Sequence, residues 1–302
     1  MLATSRPLVG MLLLAIASRC QAAEHNAMLD DLLEHGVSIG SARVRLPAPT
    51  LSDGLDTRQQ RQALSSITDD NHSLEALERK AVVAPFVLRI ANEPNPGQGR
   101  PRRVDLWFVA YGDFVRLSDE DFLKQQVDTE KKSQQGGSLT EGTLLREDQL
   151  RARNVEIVPD ERFLTVHLEL FDRVDVRGTM RARLSRATDS VTLAATLDPR
   201  FAQDAEFPNT WRSRKLDDAG RVISGPVRPY LGAAWYCKAT KLQQPQGAVL
   251  VEYHIVFDEP EGWFNGANLL RSKLPLVVQD GVRKFRRRFG EKVGSQPETA
   301  AD

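Results

Sequence analysis

The chain has 302 residues, 41% of them apolar and 27% charged, which is enough for one large domain or two small ones and too apolar for wholesale disorder. Lys plus Arg and Asp plus Glu both number 41, so the basic excess that marks a nucleic-acid-binding protein is absent.

Residues 1–22 read as a secretory signal peptide. Arg6 supplies a positive start, Leu8 to Ala17 is an apolar run too short to span a membrane, and Cys20-Gln21-Ala22 puts small residues at −3 and −1 of a cleavage site. The alternative is a lipoprotein signal with Cys20 lipidated, against which Arg19 stands where a small residue is required. The expectation is an exported protein, periplasmic or extracellular. Cleavage removes Arg6 and Arg19 and no acid, leaving 39 − 41 = −2. It also leaves Cys237 as the single cysteine, so no internal disulfide forms. Lying among Ala234, Trp235 and Ala239, that cysteine reads as a small buried apolar residue.

Asn26 to His35 is a short amphipathic helix stopped by Gly36, and Ala42 to Leu46 a strand ended by Pro47 and Pro49. Asp56 or Thr57 caps a helix through Ile67, with Thr57 and Gln60 at capping-box spacing, and Ser73 caps a brief one through Lys80. Val82 to Ile90 is β-rich. Arg103 to Tyr111 has Val104, Leu106 and Phe108 on one face and Asp105, Trp107 and Val109 on the other, which suits a strand covered on both sides. Ser118, with Asp119, Glu120 and Asp121, starts a helix that fades in the polar run Glu130 to Gly137; Glu147 to Arg153 holds another helical turn.

Phe163 to Leu197 carries three consecutive period-two segments, read as an antiparallel meander with one dry and one wet face. Pairing about Asp172-Arg173 sets Glu169 beside Arg177 or Thr179. The connection 198–225 holds a small hairpin, Trp211 to Lys215 against Arg221 to Ile223, and its length makes it a functional suspect. Two strands follow, Leu231 to Leu242 and Val249 to Phe257, joined at Gln244-Pro245-Gln246-Gly247. Last comes a long amphipathic helix with Leu270, Leu274, Val278, Val282, Phe285 and Phe289 on one face. Pro275 is tolerated if it falls in the first turn. Ser295 to Asp302 is a polar tail. No linker divides the chain, so a single domain over 24–292 is expected, with 293–302 disordered.

Several constellations invite chemistry. His167-Leu168-Glu169 and Glu252-Tyr253-His254 each put a His and a Glu on one strand face; on neighbouring strands they would hold a metal, otherwise they are ion pairs on a wet face. Gly36-Val37-Ser38-Ile39-Gly40 matches Gly-x-Ser-x-Gly, but it lies between a helix and a strand, the reverse of a nucleophile elbow. Neither reads as a catalytic or metal site, and no cofactor fingerprint occurs. Arg283, Lys284, Arg286, Arg287 and Arg288 form a basic run that either meets an anionic membrane surface or a protein partner, or is a solvated face complementing the helix C-terminus. The aromatics Trp235, Tyr236, Tyr253, Trp263 and Phe264 line a ligand cavity or fill the core.

The order of elements, and above all Val249 to Phe289 with Asp258-Glu259-Pro260 and Trp263-Phe264, resembles the START-like (SRPBCC) helix-grip superfamily, in an uncharacterised bacterial secreted branch. The resemblance implies an α+β fold, a curved antiparallel sheet gripping the long C-terminal helix, with extra N-terminal helices. It further implies a non-catalytic protein holding a lipid-like or other apolar small molecule between sheet and helix. The residues placed at that interface are Phe108, Trp235, Tyr253, Leu270, Leu274 and Phe285. The alternative is the same fold with a filled interior, acting as a protein- or envelope-interaction module.

Overall fold

A computed structural model of the protein describes residues 25–68, 73–95, 97, 99–118, 141–217, 219–264 and 268–291. The signal-peptide reading, the acidic helix start at 119–121, the polar run 130–137 and the tail 295–302 lie outside the described residues.

Helix α1 (Ala27–Glu34) is capped by the Asn26 side chain, which accepts from the Leu29 amide, and the chain leaves it at Gly36 with φ +70°. A hairpin of β1 (Val37–Ile39) and β2 (Ala42–Val44) follows. Helix α2 (Thr57–Ile67) starts one residue earlier than the Thr57–Gln60 spacing suggests: the reciprocal box is Asp56 with Gln59. Helix α3 (Leu74–Leu77) is shorter than the sequence implies, ending before Lys80.

The strands are β3 (Val87–Asn92), β4 (Pro101–Tyr111), β5 (Glu141–Leu144), β6 (Glu161–Leu170), β7 (Val174–Arg186), β8 (Ser190–Leu197), β9 (Thr210–Leu216), β10 (Val222–Ser224), β11 (Arg228–Pro229), β12 (Ala233–Lys241) and β13 (Ala248–Asp258), with the short α4 (Glu147–Arg151) between β5 and β6. All pair antiparallel, in the order β5-β6-β7-β8-β12-β13-β4-β3. The long β7 is shared along one edge: β8 takes Met180 to Arg186, then β9 takes Val174 to Arg177. The connection 198–225 therefore extends the sheet, with β10 and β11 attached to β9. β3 starts at Val87 rather than Val82, since Pro85 has no amide to give a ladder.

The β6–β7 register differs from the expected one. The turn takes three residues, with Phe171 and Asp172 both left-handed at φ 53° and 58°, and Leu170 faces Val174. Glu169 then opposes Asp175, not Arg177 or Thr179. Two carboxylates directly opposed are unfavourable, and β9 resolves the conflict: Arg214 pairs with Glu169 and Arg212 with Asp175.

Helix α5 (Leu269–Gly290) lies across one face of the sheet. Its Leu274, Val278, Val282, Phe285 and Phe289 pack on Leu106, Phe108, Val251 and Tyr253. Pro275 sits past the first turn, so Arg271 lacks the usual amide donor four residues on. At the far end, a Cβ on Gly112 would stand 2.2 Å from the Phe289 carbonyl oxygen, so only glycine lets the helix come this close. Arg286 departs from the solvated basic face. It is buried, and its guanidinium donates to the carbonyls of Val109 (2.8 Å), Pro85 (2.8 Å) and Ala84, over the Phe108 ring. The spacing that puts Phe285 and Phe289 inward carries Arg286 with them. Desolvation lowers its pKa to about 10, which keeps it cationic at neutral pH.

The opposite face is not wet where the sheet is widest. α1 and the β1–β2 hairpin cover Ala194, Ala234, Tyr236 and Val256. Leu51, α2 and α3 cover Trp107, Val109 and Leu250. β4 is thus covered on both sides, as its sequence suggests.

Candidate functional site

Between α5 and the sheet lies a cavity of about 140 Å³ whose wall is almost wholly hydrocarbon. β6 and β7 supply Val166, Leu168 and Met180 from the dry positions of the alternation; β12 and β13 supply Trp235 and Tyr253; α5 supplies Leu270, Leu274 and Val278. Val166, Leu168, Phe171, Ile255 and Phe257 are only half-buried, so this end of the cavity reaches the surface.

Aromatic stacking fixes the wall. Trp235 lies on Tyr253 with ring centres 5.4 Å apart and planes 9° apart. Trp263 is held between Tyr230 (5.8 Å) and Phe257 (6.2 Å), with Trp211 edge-on at 6.1 Å. Three buried polar atoms in this wall have no partner among the described residues: Trp235 Nε1, Tyr253 Oη and Trp263 Nε1. Burial raises the Tyr253 hydroxyl well above its usual pKa, so it stays protonated.

Of the six residues singled out from the sequence, Trp235, Tyr253, Leu270 and Leu274 line the cavity. Phe108 and Phe285 do not. They meet edge-to-face at 5.4 Å and continue to Phe289 at 5.6 Å, a solid aromatic plug. Phe285 is 11 residues beyond Leu274, about 16 Å further along the helix. Tyr230 and Met180 were not singled out. Nothing local marks Tyr230, which directly follows the two-residue β11.

The two His/Glu strands are β6 and β13, separated by β7, β8 and β12. Four strand spacings put them about 19 Å apart, so they share no metal. Among the described residues no cluster fit to hold a metal occurs. His167 binds Asp175 at 2.7 Å on the half-exposed part of the sheet. Burial alone would raise Asp175, but Arg212 and His167 outweigh it and hold the carboxyl below its usual range.

The β13 pair corrects the wet-face expectation. Glu252 and His254 are 0% and 1% exposed, because residues 47–53 lie over them. His254 Nδ1 is 2.8 Å from Asp105 and its Nε2 is 3.3 Å from Glu252. Glu252 accepts the Thr50 amide at 2.8 Å, Trp107 donates to the Thr50 hydroxyl, and Lys238 reaches the Leu51 carbonyl and Asp53. The two carboxylates take opposite ring nitrogens of His254 and do not converge on a point, so the cluster is a seam that fastens the strap.

Ser38 lies exposed in the β1–β2 hairpin, accepting from Arg43 at 3.3 Å; among the described residues no histidine bonds it. Gly36 and Gly40, at φ +70° and +59°, serve the turns. Cys237 is buried, and its thiol is pushed up by that burial.

No family model and no curated protein sequence matches the chain. Solved structures do show likeness. An uncharacterized protein from Rhizobium leguminosarum is 9% identical with a TM-score of 0.31, over 62% of this chain and 97% of that one. Human STARD10 is 8% identical with a TM-score of 0.34, over 79% of this chain and 86% of that one. The likeness is one of fold alone, and a distant one.

Proposed function

We propose that the protein is an exported, non-catalytic binder of a small apolar molecule, held between the sheet and α5. The observation that carries the reading is the cavity itself, about 140 Å³ with hydrocarbon walls and one end at the surface. A well-packed interior leaves no such space, and a filled interior used only as an interaction module would not need it. Export is supported by the sequence of residues 1–22 alone.

Size limits the ligand. An apolar cavity of about 150 Å³ takes a benzene-sized molecule, so this one suits about six to eight heavy atoms. A two-chain lipid would require α5 to part from the sheet. Six buried methylenes are worth about 5 kcal/mol gross. That corresponds to a dissociation constant of about 0.2 mM before the costs of association, so binding near the millimolar range is expected.

Calorimetric titration of the mature chain with octan-1-ol tests the reading. One equivalent should bind. Leu274→Trp, which fills the cavity from the helix side, should abolish binding while the thermal transition persists. Failure of the wild-type chain to bind octanol or benzene would end it.

A further inference from the structure

A second, polar cleft of about 340 Å³ adjoins the cavity at the start of α5. The two share Trp263 and Leu270 as a common wall. Among the described residues Arg100, Arg102 and Arg271 line the cleft, against Glu259 as the one lining carboxylate, which gives 3 − 1 = +2. Arg102 pairs with Glu259. Arg100 and Arg271 have no carboxylate partner among the described residues, and both are exposed at the cleft.

Two further features supply donors without acceptors. α5 runs 22 residues, its N-cap Asn268 makes no side-chain cap bond, and its first turn holds no acidic residue, so no side chain of its own first turn offsets the positive dipole end. Trp263, in the wall common to both spaces, is 2% exposed, and its Nε1–H has no acceptor among the described residues. Asp258 lies behind the cleft, fully buried, with one oxygen on the Arg100 amide. Burial and the neighbouring Glu259 raise its pKa.

We infer that the cleft binds an anionic head group, a carboxylate or a phosphate, of an amphiphile whose apolar end occupies the cavity. The inference rests on the cavity reading above and narrows its ligand from apolar molecules to anionic amphiphiles with a short chain. Trp263 and Leu270 stand at the junction of the ligand's two halves.

The test compares octanoate and octyl phosphate with octan-1-ol, acetate and inorganic phosphate, by calorimetry on the mature chain. The two anionic amphiphiles should bind at least tenfold tighter than octanol, and added sodium chloride should erode that preference. Acetate and inorganic phosphate should show no binding at concentrations that saturate with octanoate. Arg271→Glu, and Arg100→Glu with Arg271→Glu, should cut octanoate affinity to the level of octanol and leave octanol itself unchanged; both positions are exposed, and octanol binding certifies the fold. If octanol matches octanoate and the charge reversals change nothing, the cleft inference falls while the cavity reading stands. Heads that bind as tightly as whole amphiphiles refute the link between cleft and cavity. If neither octanoate nor octanol binds, both readings fall.

Discussion

Alkaline pH should loosen the seam between residues 47–53 and the sheet, and His254→Gln should remove that effect. His254 is 1% exposed, stacked on Tyr236 at 4.7 Å and edge-on to Trp107 at 5.1 Å. As an imidazolium it donates to both Asp105 and Glu252; as a neutral ring it donates to one and turns a lone pair on the other. Burial alone would lower its pKa, but the bonds to Asp105 and Glu252 outweigh it, and the net shift is upward from 6.5. A raised folded-state pKa means the stabilisation is fully present below the unfolded value, near 6.5, and is lost as pH climbs through the folded value. What is lost is one charge-assisted bond, about 1.5–3 kcal/mol. For a chain of this size each kcal/mol moves Tm by about 2–4 °C. Melts followed by circular dichroism from pH 6 to 9 should therefore fall by several degrees for the wild type. His254→Gln should start lower at pH 6 and stay flat or rise. A variant that falls in parallel with the wild type would refute the reasoning, because the titrating group would then lie elsewhere.

Arg286→Met should lower stability by about 2–4 kcal/mol in urea titrations, since the Ala84 and Pro85 carbonyls lose a buried donor. An unchanged midpoint would mean that those carbonyls find water. Gly112→Ala should cost about 1–3 kcal/mol by pushing the end of α5 off β4, given the 2.2 Å clash with the Phe289 carbonyl; wild-type stability in this variant would contradict the close contact. Tyr253→Phe should leave the melting temperature unchanged or slightly raised, because the deleted hydroxyl is buried and has no bonding partner among the described residues. A loss above about 1 kcal/mol would show that the hydroxyl has a stabilising partner.

The architecture was legible where hydrophobic period and burial agree. The alternation of Leu164, Val166, Leu168 and Leu170, and the three- and four-residue spacing on α5, place side chains that do meet across the sheet–helix interface. The other face of β13 misled because Glu252 and His254 occupy the positions a solvated face would. Polar identity cannot distinguish water from a buried network completed by residues 47–53, nearly 200 positions away. The β6–β7 register failed for a local reason, the two left-handed residues at Phe171 and Asp172, neither of which is glycine. At the cavity, helical phase showed which side of α5 faces the sheet but not how far along it the space lies. So Leu270 and Leu274 fall on the cavity wall while Phe285, in the same phase, falls in the plug. The polar cleft was not legible at all, since Arg100, Arg102, Glu259 and Arg271 are brought together only by the pairing of β4 with β13 and the start of α5.

The strap over β12 and β13 has a consequence for how the chain matures. Its contacts span 187 residues from Leu51 to Lys238 and 202 from Thr50 to Glu252. As the polypeptide emerges from its N-terminus, this first portion can reach Trp107 early but meets Lys238 and Glu252 only once nearly the last strands have been synthesised. Such distant closures make for slow, late folding, so the strap is fastened only near the end of synthesis.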